Sequence, residues 1–202
     1  YVSKKKNIEH LAKLGKSHWE KRVDHKDAKL SNHFLSKAVE LDPKNSDIMT
    51  LYSRSCYFIG RFSAINDKSA DSSFINGFTK SWQYIINSKD FQNGFKSIEG
   101  DSLAKTIAGL ENLSEHLLPV AYWWAENYTS YLLTKPVLER MENREIIETA
   151  LHRILSINPE YYYHGANRIF GSFYAKLPGV NLDQSKNNFD KSISIEPNFM
   201  SN

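Results

Sequence analysis

Three segments of the sequence share one pattern that limits the possible folds more than any other feature. They are FLSKAVELDPKN (34–45), ALHRILSINPEY (150–161) and NFDKSISIEPNF (188–199). In each segment, apolar or small residues stand eight, five and two positions before a proline that has polar neighbours on both sides. Proline cannot continue a helix, and it pushes the residue before it out of the helical region. Each segment is therefore predicted to be the end of an amphipathic helix.

The spacing of these prolines indicates a helical repeat. Pro159 and Pro197 are 38 residues apart, and Pro43 and Pro159 are 116 apart. A tetratricopeptide repeat (TPR) has about 34 residues. The shorter gap then fits one unit with an insertion in the loop LPGVN (177–181), and the longer gap leaves room for about three diverged units. Trp19 stands where a TPR usually has glycine.

We therefore predict an all-α fold, a TPR-like helical-hairpin solenoid or superhelix, as a single domain over residues 1–202. Hydrophobic periodicity predicts helices over 4–22, 26–41, 46–60, 67–88, a broken segment 101–117, 119–134, 137–156, 160–176 and 183–195. The sequence starts at Tyr1 without Met and ends five residues after Pro197. We expect a domain that is truncated at the N-terminus, where a signal segment and lipobox would stand, and at the C-terminus. A partner that covers the open end is the alternative to a truncated C-terminus.

The sequence contains none of the common catalytic or cofactor motifs. It has no GxGxxG, no Walker loop, no HExxH and no CxxC, so we predict neither enzymatic activity nor a cofactor. His10, His18, His25 and His33 recur every seven or eight residues without carboxylates at metal-ligand spacing, and we predict no metal site. The single cysteine, Cys56, stands among apolar residues and is predicted to be a small buried side chain.

The charge is uneven along the chain. Residues 1–44 carry eleven Lys or Arg and six Asp or Glu, whereas the rest is slightly acidic. A solvated basic surface explains this better than nucleic-acid binding, because no nucleic-acid motif accompanies it.

The segment PVAYWWAENYTSY (119–131) is the strongest local signal. Tyr122, Trp123 and Trp124 are consecutive, so their side chains point in directions about 100° apart around a helix. Large aromatic side chains thus cover more than one face, and neighbours must enclose the helix on several sides. Two interpretations stay open: a helix at the centre of a large core, or one that lines a cavity or a subunit contact.

The segment GANRIFGSFYAKLPG (165–179) also predicts a helix, although two glycines lie within it. Gly171 costs about 1 kcal/mol relative to alanine in a helix interior. This cost indicates either close helix packing or a thinned wall beside a ligand or pore. For Arg168 we consider a surface or inter-helix pair with an acidic residue, or contact with an anionic ligand group.

Two stretches together resemble the TatT family, the T components associated with tripartite ATP-independent periplasmic (TRAP) transporters. The stretches are YWWA (122–125) and the segment 165–179 followed by DxxKxxxxFDKSIxIxP (183–197). The resemblance runs from the first proline-terminated helix to Pro197. One departure is that Val180 and Asn181 stand where the family usually has glycines.

The resemblance implies a non-enzymatic lipoprotein of the periplasm, a homotrimer, that associates with the periplasmic substrate-binding protein of a TRAP system. It also implies a cavity or pore for a hydrophobic or amphipathic ligand. The residues that we predict to line it are Tyr122, Trp123, Trp124, Tyr128, Tyr162, Arg168, Gly171 and Tyr174. The alternative function is a generic TPR scaffold that binds a peptide in its concave groove; its partners would then be proteins and not a small molecule.

Overall fold

The computed structural model describes residues 2–195 and 197–199, and these fold into helices without any strand. The eleven α-helices of this part of the chain are α1 (Val2–Glu20), α2 (His25–Leu41), α3 (Ser46–Phe58), α4 (Asp67–Ile86), α5 (Lys89–Lys96), α6 (Ser102–Glu111), α7 (Leu118–Leu132), α8 (Val137–Glu142), α9 (Arg144–Ile157), α10 (Tyr161–Tyr174) and α11 (Leu182–Ile195). A π-helical turn (Ile59–Ser63) follows α3, and a short 3₁₀ segment (Glu115–Leu117) precedes α7. The predicted all-α helical-repeat fold is confirmed.

Most helices pack against the next helix in sequence, as expected of a helical repeat. Helices α1 to α4 contact one another in order, and α9, α10 and α11 do the same. The hairpin of α5 and α6 lies between α4 and α7 in sequence, yet α4 packs directly against α7. Helix α7 also contacts α3, α9 and α10, and is therefore the central helix of the fold.

The three proline-terminated segments end helices as predicted. Helices α2, α9 and α11 end at Leu41, Ile157 and Ile195, each two residues before its proline. The side chains five positions before the prolines, Ala38, Ile154 and Ser192, are at most 1% exposed. The recurrence of apolar or small residues at this position therefore has a physical cause: in each of the three helices this position faces the neighbouring helices. The close crossing of α1 and α2 falls at Gly15, where a Cβ atom would stand 2.6 Å from Cγ of Leu35.

The predicted helices differ from the structure in three places. The prediction missed α5, placed at Lys89–Lys96 and capped by Ser88. It also treated 137–156 as one helix, whereas the chain breaks at Asn143 between α8 and α9. Finally, the first turn of the predicted helix 160–176 is not right-handed: Tyr162, Tyr163 and His164 have φ values of 49°, 57° and 57°.

The cysteine and two of the histidines considered in the sequence analysis have protein neighbours that account for them. Cys56 is buried, as predicted, and burial raises the pKa of its thiol to about 11. Nδ1 of His18 lies 2.5 Å from Asp27, and Nδ1 of His25 lies 2.8 Å from Oγ of Ser63. Among the described residues no group of three potential metal ligands occurs, and none of their helices is long and apolar enough to cross a bilayer.

Candidate functional site

The central helix α7 is held on several sides by protein neighbours. Pro119 lies in its first turn, where its missing N–H group costs nothing. Asn127 donates from Nδ2 to the carbonyl oxygens of Ser53 (2.9 Å) and Trp123 (2.7 Å), which ties α7 to α3. Gly77 lets α4 approach, because a Cβ atom there would stand 2.5 Å from Oδ1 of Asn127. These contacts fix the directions in which the aromatic side chains of α7 point.

Two of those side chains form an aromatic group with α3 and α10, which we call the inner cluster: Tyr57, Tyr122, Trp123, Tyr161 and Tyr162. The ring centroids of Trp123 and Tyr162 are 4.8 Å apart, and those of Tyr122 and Trp123 are 5.0 Å apart. Tyr57 reaches Trp123 at 5.7 Å. Tyr122 and Trp123 are 0% and 3% exposed, whereas Tyr57 and Tyr162 are half-buried. Tyr161 is half-buried as well, so the accessible side of the inner cluster is made by tyrosines of α3 and α10.

Arg54 of α3 places a cation against this cluster. Its guanidinium donates to Oη of Tyr162 at 3.0 Å. The guanidinium carbon lies 5.1 Å from the ring centroids of Trp19 and Tyr162 and 5.4 Å from that of Trp123. Cation–π contacts of this length are favourable, and Arg54 is only half-buried. A charged group is thus held beside aromatic rings at a position that solvent reaches.

Glu126 adds a titratable carboxyl to the same region. It is the only charged residue of α7 and is half-buried. Burial raises its pKa to about 7, against the opposing effects of a hydrogen bond from Tyr57 and the positive charges of Arg168 and Arg61. The carboxyl therefore changes its charge near neutral pH.

The left-handed turn of Tyr162, Tyr163 and His164 positions the Tyr162 ring. Non-glycine residues adopt this conformation at a cost of about 1–2 kcal/mol each, so the surroundings must hold it. Arg168, which is 7% exposed, donates to the carbonyl oxygens of Tyr162 (2.7 Å) and Tyr163. The guanidinium also lies over the ring of Phe199, 4.4 Å from its centroid. Its burial excludes the surface role considered for Arg168.

Gly165 brings α10 close to α7 just after this turn. A Cβ atom at this position would meet the phenol of Tyr122, 2.5 Å from Cε2 and nearer still to the hydroxyl oxygen. The glycine therefore serves the contact between α10 and the inner cluster.

Trp124 and Tyr128 point to the other side of α7 and belong to a second aromatic group, the outer cluster. Trp124 stacks on Trp82 of α4 with centroids 5.0 Å apart, and Tyr128 lies 4.8 Å from Phe78. The hydroxyl of Tyr128 lies 2.6 Å from Oδ1 of Asn143. Tyr131 also packs on Phe78, at 5.4 Å. The outer cluster joins α7 to α4 and does not contain the residues of the inner cluster.

Gly171 and Tyr174 lie apart from both clusters. A Cβ atom at Gly171 would stand 2.8 Å from the ring of Phe189 on α11. Close helix packing, the first interpretation of this glycine, thus accounts for it. Tyr174 packs against Phe170 at 5.2 Å, and burial raises its pKa to about 12, together with a hydrogen bond to Glu148. Of the eight residues predicted to line a cavity, the structure brings together Tyr122, Trp123, Tyr162 and Arg168.

Sequence reasoning missed three residues of this site: Arg54, Tyr57 and Glu126. A signal for Glu126 was present, since it is a lone charge in an otherwise uncharged, aromatic helix. No comparable signal marks Arg54 and Tyr57. They lie on α3 and meet the inner cluster only through the tertiary fold.

The fold and the site define a helical-repeat protein with an internal site of aromatic, arginine and carboxyl groups. The family model of the TRAP transporter T-component, TatT, matches residues 63–199 of the sequence. The chain therefore belongs to the TatT family, whose members are transport accessory components and not enzymes. No curated protein matches the sequence significantly.

Proposed function

We propose that this protein is a non-enzymatic accessory component of a TRAP transporter that acts in the periplasm. It associates with the periplasmic substrate-binding protein of that system and holds a hydrophobic or amphipathic ligand at the inner cluster. The family match supports the transport role. The finer parts of the proposal rest on the chemistry of the inner cluster.

The combination of ring faces and charge on the accessible side of the inner cluster carries this proposal. Tyr57 and Tyr162 offer apolar ring surface, while Arg54 and Glu126 offer a cation and a titratable carboxyl beside it. Sites for small molecules commonly combine apolar walls with a few polar groups that orient the ligand. This arrangement suits an amphipathic ligand better than a purely apolar one.

Tyr122 and Trp123 lie beneath this accessible layer. Both are enclosed by protein, with exposed fractions of 0% and 3%. A ligand would reach their rings only after the side chain of Tyr162 or Tyr57 moves. The proposed ligand therefore contacts Tyr57, Tyr162 and Arg54 first.

A fluorescent fatty acid, cis-parinaric acid, tests the proposal. We expect Arg54→Met to weaken probe binding by about tenfold, because a charge-assisted contact to the carboxylate is lost. Tyr162→Phe removes only the hydroxyl that accepts from Arg54, and we expect it to weaken binding by less. Tyr131→Phe is the matched control, since this tyrosine lies in the outer cluster.

Unchanged probe affinity in the Arg54→Met protein would contradict the inner cluster as the ligand site. Binding of an acidic or basic peptide by a protein that ignores the probe would favour the alternative of a TPR scaffold. Both measurements need only fluorescence titration and thermal melts that verify folding of each variant.

The oligomeric state and the lipid anchor are also proposals drawn from the family. Apolar side chains on α8 fit a contact between subunits of a trimer: Val137, Leu138 and Met141 are 43%, 61% and 51% exposed. We expect Leu138→Glu to lower the molar mass measured by multi-angle light scattering. A wild-type protein that is monomeric at micromolar concentration would overturn the trimer.

A further inference from the structure

A second candidate site lies away from the inner and outer clusters. It is a cleft of about 730 Å³ between the end of α2, the start of α3, the second half of α4 and the 3₁₀ segment before α7. Its volume falls in the range typical of small-molecule sites. None of the inner-cluster residues lines it.

The floor of this cleft is apolar. Val39, Met49 and Leu117 line it and are 3%, 3% and 1% exposed. The half-buried ring of Tyr84 and the ring of Pro43 extend the apolar surface towards the rim. These side chains come from five separate segments, so the apolar lining is a product of the fold and not of one helix.

Three lysines, Lys44, Lys80 and Lys89, also line the cleft. None of the three ammonium groups forms an ion pair or a side-chain hydrogen bond with another described residue. Nζ of Lys80 lies 6.0 Å from the ring centroid of Tyr52. The pKa of Glu40 is lowered mainly by its hydrogen bond with Lys37, and the positive charge of Lys80 lowers it further. The lysines come from the α2–α3 loop, from α4 and from the start of α5, so they approach the cleft from different sides.

The two carboxylates of the cleft already have donors. Lys37, which lies outside the cleft, donates to Glu40 at 3.1 Å. Asp90 accepts from the backbone N–H of Ser114 at 3.2 Å and from the Ser114 hydroxyl, and His116 lies 3.8 Å away. Three lysines against two carboxylates leave the lining of the cleft with an excess of one positive charge.

We propose that this cleft binds a small amphipathic anion, in which a carboxylate or sulfonate group meets the lysines and a short apolar tail lies on the floor. An anion satisfies the ammonium groups, and the tail covers the rings of Tyr84 and Pro43 above the closed floor, since these two rings are the part of the apolar lining that water reaches. An acidic peptide would match the charge but would use the apolar floor only in part. This site is independent of the ligand proposed for the inner cluster.

The test uses methyl NMR of the full chain labelled at its three methionines with ¹³C. Met49 lies in the floor of the cleft, whereas Met141 lies on α8. We expect titration with octanoate to shift the Met49 methyl signal and leave that of Met141 unchanged. Octanol, which lacks the charge, and acetate, which lacks the tail, are each expected to bind about tenfold more weakly.

Charge removal in the cleft provides the matched variants. The double variant Lys44→Gln, Lys80→Gln is expected to weaken octanoate binding by about tenfold. Lys191→Gln, on exposed α11, removes one charge outside the cleft and should leave the affinity unchanged. Both variants replace lysines that form no ion pair with another described residue, so we expect them to fold, and circular dichroism verifies this.

Three results would overturn the proposal. Equal affinities of octanol and octanoate contradict it, because the lysines would then contribute nothing to binding. Octanoate that displaces cis-parinaric acid while the Met49 methyl signal stays unchanged assigns the anion to the inner cluster. An acidic peptide that displaces octanoate at a concentration far below that of octanoate would show that the cleft binds a protein segment and not a small anion.

Discussion

Glu126 shows how a single residue links the fold to pH. An exposed glutamate has a pKa of about 4.5, and burial raises the pKa of Glu126 in the folded protein to about 7. Between these pH values the folded protein binds more protons than the unfolded chain, so stability falls as the pH rises from about 4.5 to about 7.

We expect Glu126→Gln to be more stable than the wild type at pH 8, by about 1–3 kcal/mol, and to differ little from it near pH 4. Urea unfolding at several pH values measures this. Glu142→Gln, at an exposed position on α8, is the control and should leave the pH dependence in place. A Glu126→Gln protein that loses stability equally at both pH values would show that the carboxyl acts through hydrogen bonds alone.

Gly165 is the second residue whose role can be tested directly. Gly165→Ala places a methyl group against the phenol of Tyr122, which is 0% exposed and cannot move into solvent. Overpacking of this kind costs about 1–3 kcal/mol, whereas Asn187→Ala on exposed α11 should change stability by less than about 0.5 kcal/mol. Chemical unfolding measures both, and an unchanged Gly165→Ala protein would mean that α10 does not press on the inner cluster.

Among the elements, the left-handed turn at the start of α10 makes an unusual demand on the sequence. Tyr163 has a φ of 57° and is 50% exposed. Alanine in this conformation is strained, whereas glycine is not. We therefore expect Tyr163→Gly to be more stable than Tyr163→Ala by about 1 kcal/mol, since both lose the same ring.

The order of these two variants is the reverse of the order in a right-handed helix, where glycine is about 1 kcal/mol worse than alanine. Asn187→Gly and Asn187→Ala in α11 supply that ordinary order as a control. Urea unfolding of the four proteins measures the free energies of unfolding that this comparison needs. If alanine is better than glycine at both positions, the turn is an ordinary first turn of helix.

Hydrophobic periodicity in the sequence predicted those helices that bury one regular face. The positions before Pro43 and Pro159 were predictable because periodicity and a proline stop coincide. Helix α5 was missed because Gly94 weakens the helical pattern. The glycine is needed for a tertiary contact, since a Cβ atom at this position would meet the carbonyl oxygen of Ala108 on α6. The left-handed turn could not be predicted, since tyrosine does not favour this conformation and Arg168 holds the turn from a later position in the chain.

At the scale of the whole molecule, the site depends on helices that the family match does not include. The match begins at residue 63, yet Arg54 and Tyr57 of α3 complete the inner cluster. Helix α3 contacts both α4 and α7. Removal of α1 to α3 would therefore expose buried aromatic surface on the central helix.

We expect a fragment of residues 63–202 to lose cooperative unfolding and to bind a hydrophobic dye such as anilinonaphthalene sulfonate. The physical reason is that Trp123 loses Tyr57 and Arg54 as neighbours, and water then reaches its indole. The full chain is the control. A fragment with a sharp thermal transition and no dye binding would show that α4 to α11 form an independent unit.

The hydrogen bond from Arg54 to Tyr162 joins residues that are 108 positions apart along the chain. Closing so long a loop has an entropic cost that grows with its length, and contacts of this kind slow folding. Ribosomal synthesis also delivers Tyr162 long after Arg54. We therefore expect the inner cluster to close late in folding, after the local hairpins have formed.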